Sequence, residues 1–302
     1  AIRNPRVTVL DLFCGPMALA GSTRMQATTS EQLIAGGALE TVFARLAGEP
    51  EIADYAALFE KLLDTLEAPE TRKAIADYID FETEIYRQHG KVTYFTHDFL
   101  LDVFTDTTER SPTFMLPPFR AAQDSVSAQS WAFVKNPLHG TEACWSERMR
   151  RHPRCLEFTA DDARSLGMPQ NFIDNPPLIK YSDLITYMIG NEPAPERIKG
   201  YERAAAVMLT VGEKPANYMT AAKKLAADWP EAIEFHIGPV PTDGIWVNME
   251  IADSPLEIWK HLAVKLAFNC LSTGTMAASG RVAGNWMSWV SISNKKLIDR
   301  GI

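Results

Sequence analysis

The sequence predicts an α/β fold, a three-layer α/β/α sandwich with a mainly parallel sheet, preceded by a helical segment. Two observations lead to this prediction. From residue 90 onward, short apolar and aromatic runs alternate with helical stretches, whereas residues 1–88 contain a single strand-like run among helices. Strands that alternate with helices build a parallel sheet with helices on both faces. The chain has 302 residues, of which 46% are hydrophobic, enough to bury a core of this size.

The first part of the chain is predicted to be mostly helical. The nearly continuous apolar run at residues 6–13 (RVTVLDLF) predicts a buried strand. Apolar residues then recur at helical spacing over 22–46, where Gly48-Glu-Pro ends the pattern. Two further amphipathic helices are predicted at 52–66 and 70–88. One strand with three helices does not build a sheet domain by itself.

The remainder of the chain carries the predicted sheet. Strands are predicted at 91–96, 131–134, 155–158, 205–211 and 233–237. Helices are predicted at 141–151, 182–189, 215–228 and 255–278. The run SPTFMLPPF at 111–119 is too rich in proline for a central strand and predicts an ordered loop or an edge segment.

Composition excludes several classes of protein. The formal net charge of -8 argues against nucleic acid as the main partner. No apolar stretch reaches the roughly 20 residues of a membrane span, and the N-terminus lacks a signal-peptide layout. We therefore expect a cytoplasmic protein without a membrane partner. The sequence also lacks G-x-G-x-x-G, P-loop and G-x-S-x-G motifs.

Cysteine and histidine spacing predicts no metal centre. The four cysteines are dispersed and form no C-x-x-C pair, so free thiols are expected. The six histidines show no metal-ligand spacing, and each is expected to be structural or exposed. His97 and Asp98 follow a predicted strand, where many α/β active sites lie, but a local turn explains them as well. We expect neither a metal nor a cofactor.

The long C-terminal helix has two distinct faces. Lys265, Asn269 and Ser272 are spaced i, i+4, i+7 and therefore share one side. A cation, an amide and a hydroxyl in this arrangement suit an oxyanion or sugar hydroxyls. The alternative is a face that contacts solvent or caps a neighbouring loop. A second stripe is predicted to be the core face; it consists of Leu256, Trp259, Ala263, Leu266, Cys270 and Thr273.

A second candidate site lies at Gly21-Ser22-Thr23-Arg24, where a loop meets a helix. The backbone amides at a helix N-terminus favour an anion, and an arginine adds a bidentate phosphate contact. The alternative is a simple N-cap by Ser22 or Thr23 beside a solvated Arg24.

Two stretches resemble motifs of one protein family. Residues 15–33 (GPMALAGSTRMQATTSEQL) resemble the motif GP-x-x-L-x-GS-[ST]-RM/L-K, and residues 262–300 resemble an ending with K-x-x-x-N-x-x-STG and SN-x-KL. Both motifs are typical of the sugar isomerase (SIS) family of phosphosugar-binding proteins. The most similar branch contains N-acetylmuramic acid 6-phosphate etherase and glucokinase regulatory protein. The middle of the chain is similar only in its α/β pattern.

The spacing of these motifs implies a duplicated arrangement. They are adjacent in the etherase, whereas about 230 residues separate them here, as in the regulatory protein with its two successive SIS domains. The resemblance implies that residues 1–45 are the C-terminal remnant of a first SIS domain, whose earlier strands would lie upstream of Ala1. Residues 46–88 would be a helical connector, and residues 89–302 a second SIS-like domain.

The resemblance also implies a set of ligand contacts. Phosphosugar contacts are expected at Ser22, Thr23, Arg24, Lys265, Asn269, Ser272 and Thr273. The chain departs from the family at residues 96–102 (THDFLLD), where a Ser/Thr/Gly-rich phosphate loop is usual, and at Gln26, where Lys is usual. The etherase's catalytic carboxylates are placed in the first half of an SIS domain, so no catalytic residue is assigned.

Three functions are compatible with these features. The first is a phosphosugar-binding protein, regulatory in role, that forms part of a two-SIS-domain protein. The second is an etherase-like lyase or a sugar-phosphate isomerase acting on an amino-sugar phosphate, in which a carboxylate would abstract a proton. The third is a structural interaction module in which the exposed faces of helices 52–88 pack on a partner or, as a homodimer, on a second copy.

Overall fold

The chain folds around a parallel sheet with helices on both faces. The computed structural model describes residues 5–6, 8–49, 53–290 and 298. Its main sheet has five strands in the order β2-β1-β5-β6-β7, and every neighbouring pair is parallel. This confirms the predicted α/β class.

The elements follow one another in chain order. The helices are α1 (Gln26–Ala47), α2 (Tyr55–Glu67), α3 (Pro69–Arg87), α4 (Leu100–Phe114), α5 (Thr141–Arg148), α6 (Ala160–Ser165), α7 (Gln170–Asp174), α8 (Tyr181–Leu184), α9 (Ala216–Ala226) and α10 (Ile258–Ala278). The strands are β1 (Lys91–Phe95), β2 (Ala132–Lys135), β3 (Leu156–Glu157), β4 (Leu178–Ile179), β5 (Ala204–Val211), β6 (Glu231–Ile237), β7 (Ile245–Val247), β8 (Val282–Ala283) and β9 (Trp286–Met287).

The strand order explains why helices cover both faces. The crossovers β1-α4-β2 and β5-α9-β6 leave the β1/β5 boundary in opposite directions. Because such crossovers are almost always right-handed, α4 and α9 must lie on opposite faces of the sheet. The core residues agree: Leu100 of α4 packs with Val92 and Tyr94, whereas Tyr218 of α9 packs with Phe95.

The central strand β5 shows how the sequence specifies this burial. All its residues are buried, as a strand between two helical layers requires. Ala204, Ala206 and Met208 face α9, and the intervening Ala205 and Val207 face the other layer. Small alanines let the helices approach the middle of the sheet closely.

Helices α3, α4 and α10 form the layer opposite α9. Helix α3 packs against β1, β7 and α10. It approaches α10 closely at Gly274, where a Cβ atom would collide with the Ile79 side chain. Helix α3 therefore belongs to the domain core, although it lies in the segment 46–88 that was expected to be a connector; the domain division itself stays a prediction.

Among the described residues, three linked carboxylate and guanidinium groups are buried in this layer, beginning with Glu82 of α3. The Glu82 carboxylate is fully buried and accepts hydrogen bonds from Arg110 Nη1 at 2.8 Å, Tyr94 Oη at 2.7 Å and Thr275 Oγ1 at 2.9 Å. Since these partners come from α4, β1 and α10, one carboxylate joins four elements. Arg110 Nε also donates to Asp106 Oδ2 at 3.0 Å, which extends the chain of charges along α4.

The predicted strand at residues 6–13 is wrong for its described part. Residues 8–13 are in no strand, and Leu10 and Phe13 are 69% and 81% exposed. The Asp11 side chain accepts a hydrogen bond from the Phe13 amide at 3.0 Å, a local turn that competes with extended pairing. Residue 7 lies outside the described part.

Other predicted elements need correction. Residues 111–114 of the proline-rich run continue α4, with Pro112 inside the helix, and only 115–119 form a loop. The strand predicted at 155–158 is reduced to β3, which pairs antiparallel with β4 outside the main sheet. The helix predicted at 182–189 is limited to the short α8 (Tyr181–Leu184).

The core stripe predicted on α10 is also partly wrong. Trp259 and Ala263 are buried as expected, but Leu256 and Cys270 are exposed, whereas Ser272 is fully buried. Helix α10 contacts α1, α3 and α4 together, so its buried surface extends beyond one stripe and includes the polar face.

Replacing Arg110 by methionine should destabilise the fold strongly. The variant leaves the fully buried Glu82 carboxylate without its cation, and an uncompensated buried charge costs about 3–5 kcal/mol. Urea unfolding measures the loss. Lys73→Met, which breaks an exposed ion pair with Asp77, is the control and should unfold like the wild type. Equal midpoints for Arg110→Met and the wild type would contradict this account.

Candidate functional site

A cavity of about 460 Å³ lies between the N-terminus of α1, helix α4 and helix α10. Helix α10 contributes His261, Lys265 and Asn269, which are four residues apart and therefore share one face. Helix α4 contributes a carboxylate face that includes Asp102 and Glu109. The volume of the cavity falls within the range of small-molecule sites.

Arg24 closes one wall of this cavity. The side chain is buried, and its Nη1 donates to Asp106 Oδ1 at 2.9 Å. Its Nη2 donates to Ser272 Oγ at 2.7 Å and to Thr273 Oγ1 at 3.1 Å. Ser272 Oγ in turn donates to Asp106 Oδ1 at 3.0 Å. Arg24 therefore joins the loop before α1 to both α4 and α10.

The position of Asp106 between two arginines decides its charge state. Burial raises the pKa of this carboxyl, but Arg110 and Arg24 lower it further than burial raises it, so the net pKa is depressed. Asp106 is therefore ionised and links Arg24 to the buried Arg110–Glu82 pair. Arg24 Nε is buried and has no acceptor among the described residues.

Lys265 ties the same loop to α10. Its Nζ donates to the backbone carbonyls of Arg24 at 2.8 Å and Met25 at 3.3 Å, and to Asn269 Oδ1 at 3.1 Å. Burial, followed by the charge of Arg24, lowers the pKa of Lys265 to about 8. The Lys265 ammonium therefore loses its proton at a pH much closer to neutrality than an exposed lysine does.

The structure brings the predicted site residues to one region. Thr23, Arg24, Lys265 and Asn269 line the cavity, and Ser272 and Thr273 bind Arg24 behind its wall; Ser22 is buried and does not line the cavity. The N-cap alternative is wrong: α1 begins at Gln26, and its N-cap Met25 provides no side-chain cap. The predicted solvated Arg24 is likewise wrong.

Sequence reasoning missed a carboxylate–imidazole pair at the cavity. His261 Nδ1 lies 2.9 Å from Asp102 Oδ1 and 3.0 Å from Oδ2. Burial lowers the pKa of His261, but the hydrogen bond and charge of Asp102 outweigh it, so the net pKa is raised. His261 precedes Lys265 by four residues on the same face, a spacing that was available in the sequence.

Three potential metal ligands also meet at the carboxyl edge of β1 and β2. Ligand atoms of His97, His139 and Glu147 lie within 4.8 Å of one another. Arg148 Nη2, however, lies 3.3 Å from His97 Nε2, and Asn136 donates to His97 Nδ1 at 3.1 Å. The adjacent guanidinium disfavours a cation, so we interpret this group as an ion-paired cluster.

The usual ligand position of an open α/β sheet has little room. The crevice where β1 and β5 diverge is lined by Thr96, His97 and Thr210 and holds about 10 Å³. Residues 96–102 at this crevice also lack the Ser/Thr/Gly-rich sequence of a phosphate-binding loop, which agrees with the small volume. Within the described residues, the space for a sugar-sized ligand lies between the helices instead.

Comparison with known proteins gives a short match. No family model matches the chain. It is 39% identical over 56 residues to N-acetylmuramic acid 6-phosphate etherase of Thermosynechococcus vestitus. This match covers 18% of the chain and 18% of the etherase, so the chain spans less than a fifth of that relative. The match agrees with the resemblance of the two motifs to SIS proteins.

A solved structure, a phosphoheptose isomerase from Francisella tularensis, superposes with a TM-score of 0.37 and 13% identity over 73% of this chain and 93% of that one. Among the described residues, no helix is both long and apolar enough to cross a bilayer. The predicted C-terminal motif extends into residues 291–297 and 299–300, which lie outside the described part.

The pKa values of His261 and His97 should lie on opposite sides of about 6.5, the ordinary pKa of histidine. The pKa of His261 is raised by Asp102 against the effect of burial, whereas burial and Arg148 lower the pKa of His97. NMR titration of the imidazole resonances measures both. Asp102→Asn should lower the pKa of His261 and leave that of His97 unchanged; a pKa of His261 below that of His97 in the wild type would contradict the geometry.

Proposed function

We propose that the chain is a phosphosugar-binding protein of the SIS family and that the α1/α4/α10 cavity is its binding site. The observation that carries this proposal is the convergence of Arg24 and Lys265, 241 residues apart in sequence, at one sugar-sized cavity. The short similarity to an etherase that acts on a sugar phosphate supports the same class of ligand.

The phosphate would sit at the N-terminal turn of α1. The first amides of a helix lack intrahelical acceptors and attract anions, and the first turn of α1 contains no acidic residue. Thr23 and Thr28 line this end of the cavity beside Lys265. Because Arg24 is held by Asp106 and Ser272, its proposed role is to shape the loop and to add positive charge to this wall of the cavity.

The sugar would occupy the remainder of the cavity. Asn269, Gln32 and Thr105 line it and supply donors and acceptors suited to hydroxyl groups. Asp102, His261 and Glu109 add acid–base groups. These three groups favour the second candidate function, an etherase-like lyase or an isomerase that acts on the bound sugar.

The third candidate, a dimerisation module, is favoured by an exposed apolar stripe on α1. Its large side chains are 44–80% exposed; they are Ile34, Leu39, Val42, Phe43 and Leu46. Apolar stripes at helical spacing are typical of protein interfaces. The homodimer, the cytoplasmic location, the regulatory role and the two-domain organisation remain proposals.

Removing the Lys265 charge should weaken sugar-phosphate binding by at least tenfold. We expect Lys265 to exchange its longest hydrogen bond, to Met25 O at 3.3 Å, for one to the phosphate, and a charge-assisted hydrogen bond contributes about 1.5–3 kcal/mol. Calorimetric titration of glucose 6-phosphate and N-acetylmuramic acid 6-phosphate into wild type and Lys265→Met measures the effect. Lys260→Met is the matched control, because Lys260 pairs with Glu257 on the same helix and does not line the cavity. The unphosphorylated sugars should bind much more weakly than the sugar phosphates.

Two results would overturn the proposal. One is the absence of binding of either sugar phosphate to the wild type at millimolar concentration. The other is an equal loss of affinity in Lys260→Met and Lys265→Met, since it would place the effect outside the cavity.

The affinity should also fall as pH rises. With a pKa of about 8, Lys265 is mostly charged at pH 7 and mostly neutral at pH 9, while the phosphate is fully ionised throughout. The charged fraction, and with it the affinity, should fall about tenfold across this interval. Titrations at both pH values test this, and Lys265→Gln should bind weakly with little pH dependence. A wild-type affinity that rises toward pH 9 would exclude Lys265 as the phosphate contact.

A further inference from the structure

We propose that Asp102 and His261 form a proton-transferring pair in which His261 Nε2 removes the proton from C2 of a bound open-chain sugar phosphate. This inference rests on the proposed function, because it requires the sugar phosphate to occupy the α1/α4/α10 cavity. It assigns the proton transfer of an isomerase to a histidine–aspartate pair that neither the motifs nor the sequence spacing singled out.

The geometry fixes the tautomer of the imidazole. Both oxygens of Asp102 lie about 3 Å from His261 Nδ1, so this nitrogen carries the proton and donates it to the carboxylate. In the neutral ring, Nε2 then carries the lone pair of a base. Phe99 packs edge-on against the ring at 5.0 Å and restricts its rotation. A carboxylate that orients an imidazole in this way is a general arrangement for proton transfer.

The pair is accessible from the cavity. The His261 side chain is 35% exposed and that of Asp102 is 16% exposed, and both line the same space as Lys265. The other charged groups acting on His261 are Glu257, which favours its protonated form, and Lys260, which opposes it. Because Arg24, Asp106 and Ser272 already join α4 to α10, the Asp102–His261 contact is not required to hold these helices together.

The other carboxylates at the cavity are less suited to act as the base. Asp106 is bound by Arg24 and Arg110, and its pKa is lowered, so it is a weak base. Glu109 is exposed and has no hydrogen-bond partner among the described residues that would orient it. Within the described part of the site, His261 alone combines a free lone pair, an orienting carboxylate and access to the cavity.

The proposed step balances without an oxidant or a reductant. The Nε2 lone pair takes the C2 proton, the C2–H electron pair forms the C1=C2 bond, and the carbonyl π electrons move to O1. The product is an enediolate, with its negative charge on O1, and an imidazolium ion that Asp102 stabilises. Return of the proton to C2 restores the sugar. In a sugar with a C2 hydroxyl, transfer of the O2 proton to O1 and delivery of the imidazolium proton to C1, as the O2 electrons form the C2 carbonyl, give the ketose. In D₂O the returned particle is a deuteron.

Deuterium exchange at C2 tests the proposal. Wild type in D₂O should remove the C2–H signal of glucose 6-phosphate or N-acetylglucosamine 6-phosphate from the proton NMR spectrum. His261→Gln should slow this exchange at least 100-fold, within the usual range for loss of a general base, and should keep the dissociation constant within threefold. His152→Gln, which changes an exposed histidine away from the cavity, is the matched control and should exchange at the wild-type rate.

The pH profile separates a chemical role from a structural one. The wild-type exchange rate should rise with pH through the titration of His261, whose pKa Asp102 raises. Asp102→Asn should reduce the rate and move the profile to lower pH, whereas a variant with only a loosened helix contact would keep the profile.

The outcomes are distinguishable from those of the binding proposal. Sugar-phosphate binding without C2 exchange overturns the proton-transfer pair and leaves the binding site intact. Exchange by His261→Gln at the wild-type rate likewise overturns it. Absence of binding overturns the proposed function, and the proton-transfer pair with it.

Discussion

The site depends on a chain of buried charges, Arg24–Asp106–Arg110–Glu82, that runs from the loop before α1 to the centre of the helical layer. Each carboxylate in it is buried and paired with an arginine. Removing Arg110 leaves Glu82 without its ion-pair partner, and removing Asp106 does the same to Arg24. Through this chain the loop that precedes α1 is tied to α3, α4 and α10, although it is distant from them in sequence.

The same chain explains why the cavity lies among the helices and not at the edge of the sheet. Once Arg24 and Lys265 hold the loop against α10, the first turn of α1 faces α4 across an open space. The crevice at the β1/β5 boundary, by contrast, is filled by Thr96, His97 and their neighbours. Thr23 and Thr28 near the start of α1, Lys265, and the Asp102–His261 pair therefore line one cavity.

Much of this arrangement could be predicted from sequence. Alternating strands and helices gave the sheet and its two covered faces, and the i, i+4, i+7 spacing put Lys265, Asn269 and Ser272 on one face of α10. Strand β7 was missed because three residues carry no periodicity. The strand prediction for residues 8–13 was wrong because apolar character does not specify a partner strand. In the structure these residues pair with no strand.

Contacts between distant segments were the part that sequence could not predict. Asp102 and His261 are 159 residues apart, and nothing in either local pattern indicates the other. The sequence placed Arg24 and Ser272 in two separate candidate sites, and it did not predict their contact, because the loop and the helix are 248 residues apart. The cluster of His97, His139 and Glu147 was likewise missed, since strand order alone brings its members together.

The loop and helix formed by residues 8–49 have one further consequence. They contribute no strand to the sheet. They join the rest of the protein through contacts of Arg24 with α4 and α10, through hydrogen bonds of Glu40 with Tyr55 and Leu256, and through the packing of Leu19 in the core. These hydrogen bonds are therefore all made outside the main sheet. If the chain were divided between α1 and α2, the two pieces would be a natural pair for fragment complementation, and ligand affinity would report their reassembly.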